Sequence, residues 1–201
     1  MDDIEKLFRA RKTILEMFID RGYVISKDLM VDDKSEFKKL FYSKTLDFRI
    51  EHEGKPPVFI KWMLNFKIKP NMIKETIDNI REEQFSDNGP SKIILVTKAK
   101  PNTNISKIFK DKEFRGTELF WLNTVIFNIT HHILVPKHKK MTDDEVKKLL
   151  GELFIQNKFH LPLMLKSDPI TRYLDLSSGD VCRITRYSPT SGQYYSYRVV
   201  K

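Results

Sequence analysis

Four small sets of residues have the types and spacing from which chemistry is built. Asp47 and Lys61 fall on two successive stretches that read as strands, the arrangement by which nucleases of the PD-(D/E)xK kind hold a metal ion and a water. The positions that should carry the second carboxylate read Phe59-Ile60-Lys61. A hard cation such as magnesium then lacks a second oxygen ligand, so Asp47 and Lys61 are expected to be solvated strand residues. His131, His132 and His138 offer imidazoles that suit transition metals, but no paired carboxylates lie near them and Cys182 is the only cysteine, so they read as linker histidines. Ser188, Ser191 and His160 supply a nucleophile and a base without a strained G-x-S-x-G elbow or an acid partner. The glycines stand at 22, 54, 89, 116, 151, 179 and 192, too far apart for G-x-G-x-x-G or a P-loop. The expectation is a chain with no catalytic residue, metal or cofactor of its own.

Contact with nucleic acid has better support. Lys98-Ala-Lys-Pro-Asn-Thr-Asn104 follows an apolar strand and precedes a helix starting near Ile105, so lysines, loop amides and a free helix N-terminus could meet a phosphate together. The chain carries 36 basic and 27 acidic residues, a formal charge of +9 and a pI near 9.4, which suits an anionic neighbour. The excess is spread out: residues 131–201 hold 12 basic and 7 acidic residues, net +5, against 24 and 20, net +4, before them. Neither part is a polybasic tail. Arg183, Arg186 and Arg198 alternate with apolar strand residues and are expected to meet acidic or carbonyl groups of a neighbouring protein, or solvent.

A folded body has to position these groups, and 201 residues with 40% hydrophobic and 11% aromatic content can build one or two cores. A single cysteine excludes a disulfide framework and fits a reducing compartment. The opening Met1-Asp-Asp-Ile-Glu5 lacks a basic n-region and an apolar h-region, and no apolar run approaches about 18 residues, so neither secretion nor a membrane partner is expected.

Taken in order, residues 3 to 19 place Ile4, Leu7, Phe8, Ile14, Leu15 and Phe18 at helical intervals. Asp32 or Asp33 can cap a second helix through Phe37, Leu40 and Phe41. Thr45 to Ile50 and Val58 to Leu64 read as a hairpin across Glu51-His-Glu-Gly-Lys-Pro-Pro57. Pro70 opens a helix carrying Met72, Ile73, Ile77 and Ile80, which Asp87-Asn-Gly-Pro90 breaks. Ile93-Ile-Leu-Val96 has the pattern of a strand covered on both faces. Ile105, Ile108 and Phe109 suggest a helix, and Leu119 to Ile129 reads mostly as strand. This alternation predicts an α/β layer for residues 1 to about 128.

Beyond a connector over 129–141, Thr142 and Glu145 form a capping box, with Val146, Leu149, Leu150 and Leu153 as the helix stripe. Leu161, Leu163 and Leu165 alternate as a half-buried strand. Asp168 before Pro169 caps a short helix with Ile170, Tyr173 and Leu174 inward. A hairpin follows, with Cys182 and Ile184 on one strand and Tyr195, Tyr197 and Val199 on the other, turning at Ser188 to Gly192. A unit this small covers only part of its own surface, so it calls for a partner.

The residues of this last stretch carry a resemblance. Leu161-Pro162, Asp168-Pro169-Ile-Thr-Arg-Tyr173, Gly179-Asp-Val181 and Arg186-x-Ser-x-Thr-x-Gly192-x-Tyr194-x-x-Tyr197-Arg198 resemble the C-terminal assembly domain of the fifth-largest subunit of eukaryotic nuclear RNA polymerases, a domain that stands alone as a small separate subunit of archaeal RNA polymerase. Arg11-Lys-Thr-Ile14 with Asp20-Arg-Gly-Tyr23 resembles the opening of the eukaryotic subunit, an extension that the archaeal protein lacks.

The resemblance implies an α/β N-terminal domain over 1–128, three-layered and nuclease-like without catalysis, and a small α+β assembly domain with a mixed sheet over 142–201. It implies a non-catalytic subunit of a multisubunit DNA-directed RNA polymerase, docked on the largest subunit beside a small assembly subunit, with its jaw near downstream duplex DNA. By position, Lys98, Lys100, Pro101 and Asn102 would lie by the DNA, and Asp168, Pro169, Arg172, Tyr173, Arg186, Thr190, Gly192, Tyr194, Tyr197 and Arg198 would face the partner subunits. The expected location is the nucleus in a cellular organism, and a cytoplasmic factory or virion for a virus-encoded enzyme. Leu163 stands where the family usually has arginine, and Tyr187 and Pro189 where it has proline and glutamate, so the partner surface has diverged. The rival readings are a metal-dependent PD-(D/E)xK-type nuclease and a free-standing basic nucleic-acid-binding protein.

Overall fold

The computed structural model describes residues 3–65, 68–85, 91–109, 112–190 and 192–201. The chain divides into two compact units, Met1–Phe127 and Asn128–Lys201. Among the described residues no helix is long and apolar enough to cross a membrane.

The first unit is built on a four-stranded mixed sheet in the order β1-β2-β3-β4: β1 (Phe48–Ile50), β2 (Val58–Met63), β3 (Lys92–Thr97) and β4 (Thr117–Trp121). β1 runs antiparallel to β2, while β2, β3 and β4 are mutually parallel, as crossover helices between them require. Helix α1 (Asp3–Asp20), α2 (Lys34–Tyr42), α3 (Pro70–Gln84), α4 (Thr103–Ile108) and α5 (Leu122–Val125) complete it. Ile73, Ile77 and Ile80 recur at helical spacing and bury α3 against Met63, Ile93 and Leu95, with Ile105 closing the cluster. The opposite parity, Ile60, Ile94 and Val96, is equally buried, on the face that carries Phe48 and Glu118. Arg11 of α1 lies 4.2 Å above the Phe48 ring and its Nη1 donates to the Leu46 carbonyl at 3.1 Å. Arg21 makes a two-pronged pair with Glu118 of β4, at 2.9 and 3.0 Å. Helices on both faces explain why β3 reads as an uninterrupted apolar run.

Two expectations for this unit need correction. The first strand spans only Phe48–Ile50, because Asp47 has left the ladder: its Oδ1 accepts from Trp62 N at 2.8 Å. The run from Leu119 to Ile129 is not mostly strand. β4 ends at Trp121 and the chain turns into α5, whose Leu122 and Val125 bury at helical spacing while Phe127 is exposed. The helix break expected at Asp87 to Pro90 lies outside the described residues.

The second unit holds a mixed sheet in the order β5-β7-β8-β6: β5 (Lys137–Lys140), β6 (Leu163–Met164), β7 (Val181–Ser188) and β8 (Gly192–Val200). β7 pairs antiparallel with β5 and β8, and β6 joins β8 in parallel. Helix α6 (Asp143–Glu152) starts with the reciprocal capping box, Glu145 N to Thr142 Oγ1 at 3.3 Å and Thr142 N to Glu145 Oε2 at 2.9 Å. Helix α7 (Pro169–Tyr173) is capped by Asp168, whose Oδ1 accepts from Ile170 N at 2.8 Å. One face of the sheet buries Cys182, Ile184, Met164 and Val200 with Ile170 and Leu176; the other buries Val181 and Val199 with Met141, Leu149 and Leu161.

Three local expectations differ. The segment 129–141, expected as a connector, is part of this unit: Ile129 and Val135 pack against the first of those clusters and Lys137–Lys140 is an edge strand. The leucine alternation at 161, 163 and 165 breaks down, since Leu161 and Met164 are buried while Leu163 is 45% and Leu165 65% exposed. Pro162 O and Met164 O accept from Val199 N and Lys201 N, both at 2.9 Å, so only two residues enter the sheet. Of the α6 stripe, Leu149 is buried but Leu153 faces out.

Candidate functional site

The lysine loop grows from the end of β3. Three bonds pin its first half to the sheet: Lys98 N to Met63 O at 3.2 Å, Thr97 Oγ1 to Ala99 O at 3.0 Å and Trp121 Nε1 to Lys98 O at 3.1 Å. Lys98 Nζ reaches Asp3 Oδ2 at 2.7 Å, and that bond holds the Asp3 carboxyl below the usual carboxylate range. Lys100 is exposed, its ammonium 5.8 Å from the Trp121 ring centroid, and Pro101 is half-buried beside it. The expectation of a free helix N-terminus is corrected. α4 begins at Thr103, and Asn102 Oδ1 already accepts from Ile105 N at 2.9 Å. Asn102 is a cap, so what the loop offers an anion is chiefly Lys100, with Lys98 available only in exchange for Asp3.

Asp47 and Lys61 are not separate solvated residues. Lys61 Nζ sits 2.6 Å from Asp47 Oδ2, and with Trp62 N on Oδ1 both carboxylate oxygens are engaged. Phe59 packs against the α3 cluster, on the same sheet face as the lysine. The arrangement staples the β1 entry to β2; it is a structural ion pair.

In the second unit, strand pairing sorts the candidate interface residues. Arg186 pairs with Tyr194 and Cys182 with Arg198, and two-residue alternation puts Arg186, Tyr194 and Arg198 on one face. His138, opposite Ile184, shares that face. Burial pushes its imidazole below the usual range, and Asp168, Arg186 and Arg198 all lie near enough to act on it. Its Nδ1 donates to Pro136 O at 2.7 Å. Arg198 Nη1 donates to Leu163 O at 3.1 Å. Thr190 lies in the hairpin turn and Gly192, with φ +62°, opens β8, while Ser191 lies outside the described residues. Pro169 is exposed and Arg172 half-buried.

Tyr173 is a correction. It is 5% exposed and its hydroxyl accepts from Asn128 Nδ2 at 3.0 Å, so it closes the core of this unit and has little surface to give a neighbour. Tyr197 is half-buried against the α6 cluster, on the face away from Arg186. That face also carries exposed residues which the sequence reading named singly without joining them into one patch. Tyr195 is 50% exposed with Arg183 5.4 Å from its ring, and Tyr187 is 78% exposed. Gln193 links them, donating from Nε2 to Tyr195 Oη at 2.7 Å and accepting from Tyr187 Oη at 3.4 Å. Their odd-numbered alternation on the two strands was the available signal. Cys182, wholly buried, has its thiol pushed up to about 11 by desolvation and takes no part in the surface.

The model of the RNA polymerase Rpb5 N-terminal domain matches residues 1–116, and that of the RNA polymerase Rpb5 C-terminal domain matches 127–200. The chain is 29% identical to the DNA-directed RNA polymerases I, II, and III subunit RPABC1 of Caenorhabditis briggsae, over 99% of this chain and 98% of that protein. Identity and coverage are the same for the Caenorhabditis elegans protein. The DNA-directed RNA polymerase subunit 5-like protein 1 of Arabidopsis thaliana is 29% identical over 98% of this chain and 96% of its own. The chain belongs to the RNA polymerase Rpb5 family, that of a subunit of DNA-directed RNA polymerase working in transcription.

Proposed function

We propose that the chain is a non-catalytic subunit of a multisubunit DNA-directed RNA polymerase. Its second unit docks on the largest subunit beside a small assembly subunit. Its first unit, nuclease-like in fold and without catalysis, forms part of a jaw along downstream duplex. The observation that carries this is the match of both family domains, in order, along nearly the whole chain. The structure supports the division of labour. The Lys98–Asn102 loop offers a modest, sequence-independent attraction to phosphates, and the Arg186, Tyr194 and Arg198 face offers a protein-binding surface. Engagement of both Asp47 oxygens by Lys61 and Trp62 weighs against the nuclease reading. The place of work is the nucleus in a cellular organism, and a cytoplasmic factory or virion for a virus-encoded enzyme.

The test is to purify the tagged chain from its native source and identify the co-purifying chains by mass spectrometry. Large polymerase subunits are expected in stoichiometric amounts. Recovery of the chain alone would favour the free-standing nucleic-acid-binding reading, and magnesium-dependent cleavage of duplex by the purified chain would restore the nuclease.

A further inference from the structure

The two strands of the terminal hairpin differ in what their outer edges meet. On β8 the even-numbered residues bond inward to β7: Val200 N donates to Asp180 O at 2.9 Å, and the register continues through Arg198 with Cys182, Ser196 with Ile184 and Tyr194 with Arg186. The odd-numbered residues bond outward, Val199 N to Pro162 O and Lys201 N to Met164 O, both at 2.9 Å. Backbone alternation therefore turns the N–H and C=O groups of Tyr197, Tyr195 and Gln193 to that outer side as well. The neighbouring strand has ended there: β6 pairs with Val199 and Val200, and among the described residues no other strand pairs with this edge. Gln193, Tyr194 and Tyr195 are exposed.

Proteins blunt an open edge with lysine, proline, a bulge or brevity. The opposite edge of this sheet does so, because β5 is four residues long and three of them are Lys137, Lys139 and Lys140. Gln193-Tyr194-Tyr195-Ser196-Tyr197 has none of these devices and consists mostly of strand-favouring aromatics. From Val181 to Lys201 there is no Asp or Glu, against Arg183, Arg186, Arg198 and Lys201. A second copy pairing on this edge would set arginines against arginines; an acidic strand would be attracted.

We propose that an extended segment of a larger polymerase subunit adds to the free edge of β8 across Gln193 to Tyr197 as a further strand. It is acidic on the face it shares with Arg186 and Arg198, and apolar or aromatic on the face it shares with Tyr195 and Tyr197. This rests on the reading of the chain as a polymerase subunit. Main-chain bonds to the outward groups supply the grip, and the alternating side chains supply the choice of partner.

Amide hydrogen exchange on the assembled polymerase and on the isolated full chain tests this residue by residue. The amides of Tyr194 and Ser196 should be protected in both states, because they bond to β7. Those of Gln193, Tyr195 and Tyr197 should exchange freely in the isolated chain and slow at least about tenfold on assembly. Tyr195→Pro, which removes an outward N–H without touching a β7 bond, should weaken incorporation roughly two- to tenfold more than Tyr195→Ala. Should the proline variant fail to fold, the exchange pattern of the natural chain decides. Incorporation with the odd-numbered amides still exchanging freely would overturn the strand addition and leave the subunit reading standing. Failure of the chain to enter any polymerase would bring down both. Protection in the isolated chain that grows with its concentration would assign the edge to a second copy and overturn the proposal.

Discussion

Replacing Lys100 with alanine separates a phosphate contact from general basicity. Lys98 is largely committed, with Asp3 2.7 Å from its ammonium, while Lys100 is exposed above Trp121. Each phosphate neutralised by a lysine contributes about 0.9 to the slope of log affinity against log salt. If Lys100 makes one such contact, Lys100→Ala flattens the slope by about 0.9, and between roughly 50 and 200 mM salt the variant should lose about 3.5-fold less affinity than the natural chain. Lys98→Ala should flatten it less, and Asp3→Asn in the otherwise natural chain, which releases Lys98, should steepen it. The assay is fluorescence anisotropy of the reconstituted polymerase on a labelled downstream duplex, titrated at several salt concentrations. Equal slopes for the natural chain and Lys100→Ala would refute the loop contact, whatever happened to affinity at one salt concentration.

Two further outcomes follow from the buried groups. Glu118→Gln strips the carboxylate from Arg21, whose side chain is 4% exposed, and should cost about 3 kcal/mol in denaturant unfolding of the full chain; a loss under about 0.5 kcal/mol would make this an ordinary surface pair. His138 has its pKa lowered by burial, so below the usual imidazole value of about 6.5 the unfolded chain takes up the proton first. Stability from this group is full above that pH and is lost as pH falls towards the lower folded value. The melting temperature of His138→Gln should therefore fall less than that of the natural chain on acidification through this window, and parallel curves would refute the assignment.

Local chemistry was legible where it is settled by neighbours in sequence. The Thr142–Glu145 box, the Asp168-Pro169 start and the doubly covered run Ile93 to Val96 all appear in the structure as their residues imply. What escaped depends on partners far along the chain. Tyr173 reads as inward by helical spacing and as partner-facing by family position, and the Asn128 bond to its hydroxyl sides with the spacing. Asp47 looks like a strand residue until Trp62 N takes its oxygen and ends the ladder. Asn102 looks like an anion ligand, yet it spends its oxygen on Ile105 N. Leu163 and Leu165 alternate correctly for a long strand, but the bonds to Val199 and Lys201 admit only two residues. In each case one or two hydrogen bonds outweighed a pattern.

Helix α1 is anchored near both ends, by Asp3 on Lys98 and by Arg21 on Glu118, and its 18 residues span about 27 Å as a stiff rod. The lysine loop thus shares its footing with the first turn of α1. On the jaw reading proposed above, a deletion that removes Asp3 releases Lys98 and should change template retention through the loop alone. An affinity handle fused close to Asp3 would load the same contact, so measurements on the loop call for a handle placed away from α1.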